Sequence, residues 1–234
     1  MPLKWKRAWI ADETYESAGV FDVNGNGVPD IVSGAFWYQG PDFRQKHFIG
    51  AVMPAAEYFD DFSTIALDIN GSGRTDFVTG GWWGSNLRWR ECPEDPTQPW
   101  PEHIIAETGN VETTRAWDID GDGILELIPN TPPNPEVAYY KLVTDADGKG
   151  TGQFRKVVVH TFDGKGQGHG LGCGDIAGNG RMDIVLCNGW LEAPADPENG
   201  QWQWHEDFVD PPWGGAASIP MLVVDINGDG VNEI

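Results

Sequence analysis

Apolar residues in this 234-residue chain fall in short runs that lack the 3.6-residue period of an amphipathic helix. The runs flank polar, glycine-bearing segments: Ala18-Gly-Val-Phe21 and Ile31-Val32, Thr64-Ile-Ala-Leu67 and Phe77-Val78, Leu222-Val-Val224 and Ile234. Short β-branched and aromatic runs joined by a Gly and Asn/Asp turn predict hairpins. A third strand is expected near residues 86–90 and 137–142, and a fourth near 43–49, 100–105, 154–159 and 202–205. The outer-strand pattern also appears at residues 5–10, ahead of any hairpin. With 31 glycines and 17 prolines, the chain reads as all-β, in units of four strands.

Five copies of one loop join the paired runs, at residues 22–30, 68–76, 118–126, 175–183 and 225–233. Oxygen-bearing side chains recur at loop positions one, three, five and nine. They are Asp22, Asn24, Asn26 and Asp30; Asp68, Asn70, Ser72 and Asp76; Asp118, Asp120, Asp122 and Glu126; Asp175, Asn179 and Asp183; and Asp225, Asn227, Asp229 and Glu233. Glycines at positions four and six let the backbone curl, and calcium takes six to eight such oxygens at roughly 2.3–2.6 Å. The loops therefore read as calcium clips. Loops three and five carry the most carboxylate, Ala177 removes one ligand from loop four, and loop two offers only Ser72 at position five. The alternative is a hairpin turn held by internal hydrogen bonds alone. Because side chains of the loop supply most of the shell, such an ion would be structural, with little open coordination for catalysis.

The loops recur with a period of roughly 50 residues, the length of a propeller blade or solenoid coil. Asp-x-Asn/Asp-Gly-x-Gly-x-x-Asp/Glu followed by Ile, Phe or Leu resembles the repeat of the FG-GAP and VCBS β-propeller families. The likeness runs from about Val20 to Ile234. Neither the Phe-Gly nor the Gly-Ala-Pro signature of the FG-GAP family recurs at a regular place, so the VCBS branch is the closer likeness. The resemblance implies calcium in the hairpin loops and a propeller, commonly seven-bladed. Residues 1–234 then form a single propeller domain with about four and a half blades, incomplete at its C-terminal side; a small or open five-unit assembly is the alternative. An open sheet edge predicts self-association.

Charge narrows the partners. Fifteen basic against 36 acidic residues give a formal charge of −21, which argues against nucleic acid or anionic membranes. More than a third of the acidic residues lie in the five loops, and five divalent ions would bring the charge to about −11. No stretch resembles a membrane span and no basic-then-apolar signal segment precedes Trp5; an extracellular or periplasmic setting is expected. The three cysteines lack zinc spacing. Cys173 and Cys187 read as small apolar thiols of the fourth hairpin, with a disulfide as the alternative.

Function is expected at the hairpin ends away from the loops. There the pattern gathers Glu16, Trp37, Asp61, Trp83, Arg115, His169 and Trp190, with Ser218 leading into the fifth hairpin. Aromatic faces beside acids and amides suit sugars, whose rings present an apolar face and a rim of hydroxyls. Two classes follow. One is a non-catalytic module that binds carbohydrate or a protein partner. The other is a sugar-active enzyme, either a lyase or dehydratase with His169 as base and Arg115 stabilising the developing charge, or a glycoside hydrolase using Glu16 with Asp61. The repeats also resemble the propeller of fungal aldos-2-ulose dehydratase, without a matching catalytic motif.

Overall fold

A computed structural model describes residues 3–163, 167–206 and 220–234. Every named element in it is a β-strand, and one plan is repeated four times. Sheet one comprises Gly19–Phe21, Asp30–Ser33, Phe36–Gln39 and Gln45–Phe48. Sheet two comprises Ile65–Leu67, Asp76–Gly80, Leu87–Arg90 and Glu102–Ala106. Sheet three comprises Thr113–Trp117, Glu126–Asn130, Glu136–Thr144 and Gly150–Thr161, and sheet four Leu171–Gly174, Asp183–Leu186, Gly189–Glu192 and Gln203–His205. Each is an antiparallel meander of consecutive strands, as the alternating runs and turns predict.

The five polar loops close first-to-second-strand hairpins. All ten glycines at loop positions four and six have φ between 68° and 89°, the left-handed region that a side chain makes costly. In the fifth unit a single bridge, Val224 to Glu233, represents the hairpin. Residues 5–10 form no strand: Trp5 is 89 % exposed, and the outer-strand expectation fails there. A further two-stranded hairpin, Pro54–Ala55 with Tyr58–Phe59, lies between sheets one and two. All three cysteines are free.

The sheets pack face against face. Val32, Trp37 and Ile49 of sheet one meet Phe77, Cys92 and Trp100 around sheet two. Val78, Leu87 and Trp89 of sheet two meet Leu127, Tyr140 and Leu142 of sheet three. Ile128, Tyr139 and Val157 then meet Leu171, Ile184 and Leu191 of sheet four. First strands of successive sheets lie against one another, sheet one on sheet two and sheet two on sheet three. Among the described residues no strand ladder joins one sheet to another.

The turn between second and third strands differs in length among the sheets. In sheets one and four it is two residues, Gly34-Ala35 and Cys187-Asn188; in sheets two and three it is a longer loop. Gly34 has φ 54° and the ring of Tyr15 packs on it so closely that a Cβ would lie 2.1 Å from Cγ. Gly73, at position six of loop two, has φ 78° with nothing within 4 Å of a Cβ. Gly73→Ala should therefore lose about 1–2 kcal/mol from backbone strain alone, and Gly34→Ala about 3 kcal/mol or more because overpacking adds to it. Denaturant unfolding measures both, and equal losses would show that Tyr15 does not pack on that turn.

Candidate functional site

Side-chain oxygens organise the five loops from within. In loop one, Asp22 accepts the amides of Gly25 at 2.9 Å and Gly27 at 2.7 Å, and Asn26 Oδ1 accepts that of Val28 at 2.8 Å. Asp68, Asp118, Asp175 and Asp225 accept the position-six amide in the same way. The position-nine carboxylate is the buried anchor. Asp30 accepts Val23 N at 2.9 Å and Gly40 N at 2.7 Å. Asp76 accepts Ile69 N and Cys92 N, and Asp183 accepts Ile176 N and Ala193 N. One oxygen thus ties the loop while the other ties the chain just past the third strand. In loop four the amide of Ala177 also donates to Asp183, where the other loops carry an oxygen ligand.

Loop three departs from this plan. Glu126 accepts Ile119 N through Oε2, while its buried Oε1 has no hydrogen-bond partner. One carboxylate oxygen from each of Asp118, Asp120 and Glu126 lies within 4.8 Å of the others, oxygen chemistry that suits a hard cation. Burial pushes the Glu126 carboxyl up to about 7 and that of Asp76 to about 6. Lys141, on the third strand of sheet three, reaches into the loop and pairs with Asp120 and, at 2.6 Å, with Asp122. Burial pulls its ammonium down, yet hydrogen bonds to Asp120, Asp122 and Glu198 together outweigh this and raise it above the usual range.

At the opposite hairpin ends, residues leading into the first strands of sheets one, two and three line one cleft of about 550 Å³. Glu16, Tyr58, Ser63, Glu112, Thr114 and Arg115 shape it. Glu16 accepts Phe59 N at 3.2 Å, and its own amide donates to Asp61 at 3.2 Å. Asp61 is buried, its Oδ2 without a partner, and burial pushes its carboxyl up to about 7. The Ser63 and Thr114 hydroxyls are likewise buried and unpartnered. Arg115 has no ion-pair partner among the described residues. His169 reaches the cleft only through Glu112, whose carboxylate lies 3.0 Å from Nδ1. Ser218 lies outside the described residues.

Two of the three expected tryptophans are not at this mouth. Trp37 and Trp190, 1 % and 9 % exposed, belong to third strands, because the preceding turn is two residues long. Trp83 stands on the longer loop of sheet two, is 38 % exposed, and stacks on Tyr58 with centroids 5.8 Å apart. Asp60 fixes that loop: it accepts the amides of Trp83 at 2.8 Å and Gly84 at 2.9 Å and pairs with the buried Arg88 at 2.9 Å.

The buried tryptophans instead reveal a second repeated constellation. Trp37, Trp89 and Trp190 pair across the sheet with His47, His103 and His205, with centroids 4.1–4.4 Å apart. Each imidazole Nε2 then meets Gln39, Glu91 or Glu192, two residues past its Trp, at 2.9–3.3 Å. The signal was present as Trp-x-Gln/Glu followed by a His on the next strand. Tyr58, Ser63 and Thr114 carried no such signal, because only packing brings them to the cleft.

No protein-family model matches this chain, and no curated protein matches it. Among solved structures it is similar to a lectin of Agrocybe aegerita, described as recognising non-reducing terminal N-acetylglucosamine. The two are 16 % identical with a TM-score of 0.49, over 82 % of this chain and 53 % of the lectin. The chain thus spans about half of that neighbour's length, and a likeness this distant carries no argument about ligand or family.

Asp61 sets a pH signature. Its folded value of about 7 lies above the unfolded value near 4, so between them the folded state binds more protons. Its contribution to stability is therefore full below pH 4 and is lost as pH rises through 7. Asp61→Asn keeps an acceptor for the Glu16 amide and should reduce the fall in melting temperature between pH 4 and 7, leaving the share that Glu126 and Asp76 contribute. A variant whose profile runs parallel to that of the parent would show that Asp61 ionises without penalty.

Proposed function

We propose that this chain is a calcium-stabilised, VCBS-type β-propeller module that binds carbohydrate in the cleft formed where its first strands converge. The carrying observation is the cleft itself, which combines an exposed aromatic with a guanidinium that has no ion-pair partner among the described residues. Tyr58, 45 % exposed and backed by Trp83, offers a flat face for a pyranose ring. Arg115 and Glu16 supply donors and acceptors for sugar hydroxyls. The radial packing of the sheets, first strand on first strand, supports the propeller reading.

Calcium fits the loops by donor chemistry. Loops one, two and five offer side-chain oxygens at all four positions and add no thiol or imidazole that would favour a softer metal. Loop four has one oxygen fewer. When bound, the ion would neutralise crowded carboxylates and hold each hairpin closed. The setting that suits such loops is extracellular or periplasmic.

The Glu112–His169 pair favours a second reading. A carboxylate at 3.0 Å from Nδ1 orients the imidazole and leaves Nε2 to act as a base in β-elimination, with Arg115 lining the same cleft as Glu112. Binding needs no such pair, so the two readings separate by experiment.

On an array of immobilised glycans, Arg115→Ala and Tyr58→Ala should each weaken binding at least about tenfold, the scale of one lost charge-assisted hydrogen bond or aromatic platform. Unchanged binding in both variants would move the site elsewhere, and turnover of a bound sugar that survives His169→Ala would remove the elimination reading. In a second measurement, the melt in millimolar calcium should exceed that in chelator. Ligand at 100 times its dissociation constant adds about 2.7 kcal/mol per independent site. Identical melts would leave the loops as hydrogen-bonded turns.

A further inference from the structure

Cross-strand pairs align the third strands of the four sheets. The residue after loop position nine pairs Ile31 with Tyr38, Phe77 with Arg90, Leu127 with Tyr140 and Ile184 with Leu191. The next third-strand residue is therefore Gln39, Glu91, Lys141 and Glu192 in turn. In sheets two and four this position adds a carboxylate beside the loop: Glu91 accepts from Asn70 at 2.9 Å and Glu192 from Asn179 at 3.4 Å. Sheet three alone has a cation there.

Two further replacements accompany it. Tyr139 stands where the other sheets have a Trp, and Val157 stands opposite it where they have a His. The imidazole and its acidic partner are thus lost together, and the aligned position has changed sign. Lys141, 16 % exposed, pairs with Asp120, lies 2.6 Å from Asp122 and 3.3 Å from Glu198, and is 3.9 Å from the otherwise unpartnered Glu126 Oε1.

We propose that the Lys141 ammonium is the resident cation of loop three, so that this hairpin is closed by the chain's own charge where the other loops take a metal ion. The contrast rests on the calcium reading of those loops. An ammonium bonded to Asp120 and Asp122 occupies the space that a calcium ion at roughly 2.3–2.6 Å from the same oxygens would need. Two cations in one oxygen cage repel, so ion and ammonium exclude each other. Loop three, the richest in carboxylate, is then the one that does not respond to calcium. The device would hold one hairpin closed whatever the calcium concentration.

Calcium bound per chain, counted by equilibrium dialysis, tests this. Lys141→Gln should gain one ion over the parent chain, and its melting temperature should fall in chelator and recover in millimolar calcium. Asp118→Asn in the parent background should leave the count unchanged, and added to Lys141→Gln it should abolish the gain. A count that drops by one in Asp118→Asn alone, or no gain in folded Lys141→Gln, overturns the proposal. Should Lys141→Gln not fold even in calcium, the Asp118→Asn count decides alone. A parent chain that binds no ion would overturn the calcium reading of the other loops, whereas the gain in Lys141→Gln would still report on loop three.

Discussion

A buried carboxylate at the base of the hairpin in each of the four sheets holds the repeat together. Asp30, Asp76 and Asp183 are fully buried, and each bridges two backbone amides that sequence alone leaves far apart: one at loop position two, the other just past the third strand. Hydrogen bonds to a charged acceptor contribute roughly 1.5–3 kcal/mol each, and the carboxylate would be costly to bury without them. The hairpin and the third strand therefore form as one unit. Glu126 keeps the loop half of this arrangement and loses the other half, and Lys141 approaches the oxygen left over.

Turn length decides what each sheet offers to solvent. A two-residue turn in sheets one and four draws the following tryptophan straight into a third strand, where it becomes core and carries a stacked imidazole. The longer turn of sheet two leaves Trp82 and Trp83 outside the ladder, and Asp60 with Arg88 spends a buried ion pair on fixing that loop. Removing one partner of such a pair leaves a buried charge behind, typically a loss of 3–5 kcal/mol. The rigid loop beside the cleft thus rests on the same principle as the hairpins: a buried acid whose oxygens are used by backbone amides.

Charge divides the molecule into two ends. Aspartates crowd the hairpin tips, where Lys141 pairs with two of them in loop three, while the cleft at the other end mixes Glu16 and Glu112 with Arg115 and, through Glu112, His169. The side chains that line the cleft can therefore vary at one end without disturbing the turns at the other.

Much of this was legible in the residues. The five loops, their glycines and the flanking apolar runs specified hairpins, since φ values near 70–90° and alternating side chains are local requirements that local sequence must meet. The third strands of sheets two and three and the fourth strands of all four sheets were legible for the same reason. The run at residues 5–10 shows the limit: strand propensity without a pairing partner makes no strand. Glu16 and Arg115 were placed on one mouth because hairpin direction alone carries them there, and Trp37 and Trp190 were misplaced because a difference of a few residues in turn length moves a side chain from solvent to core. Tyr58 and Ser63 lie on a different stretch of chain from Thr114, and only the packing of one sheet on the next joins them into a cleft. Local repetition determined the units and their loops, which depend on backbone torsion; the cleft, the Trp–His stacks and the cation inside loop three depend on contacts across the sheets, which the tertiary structure alone decides.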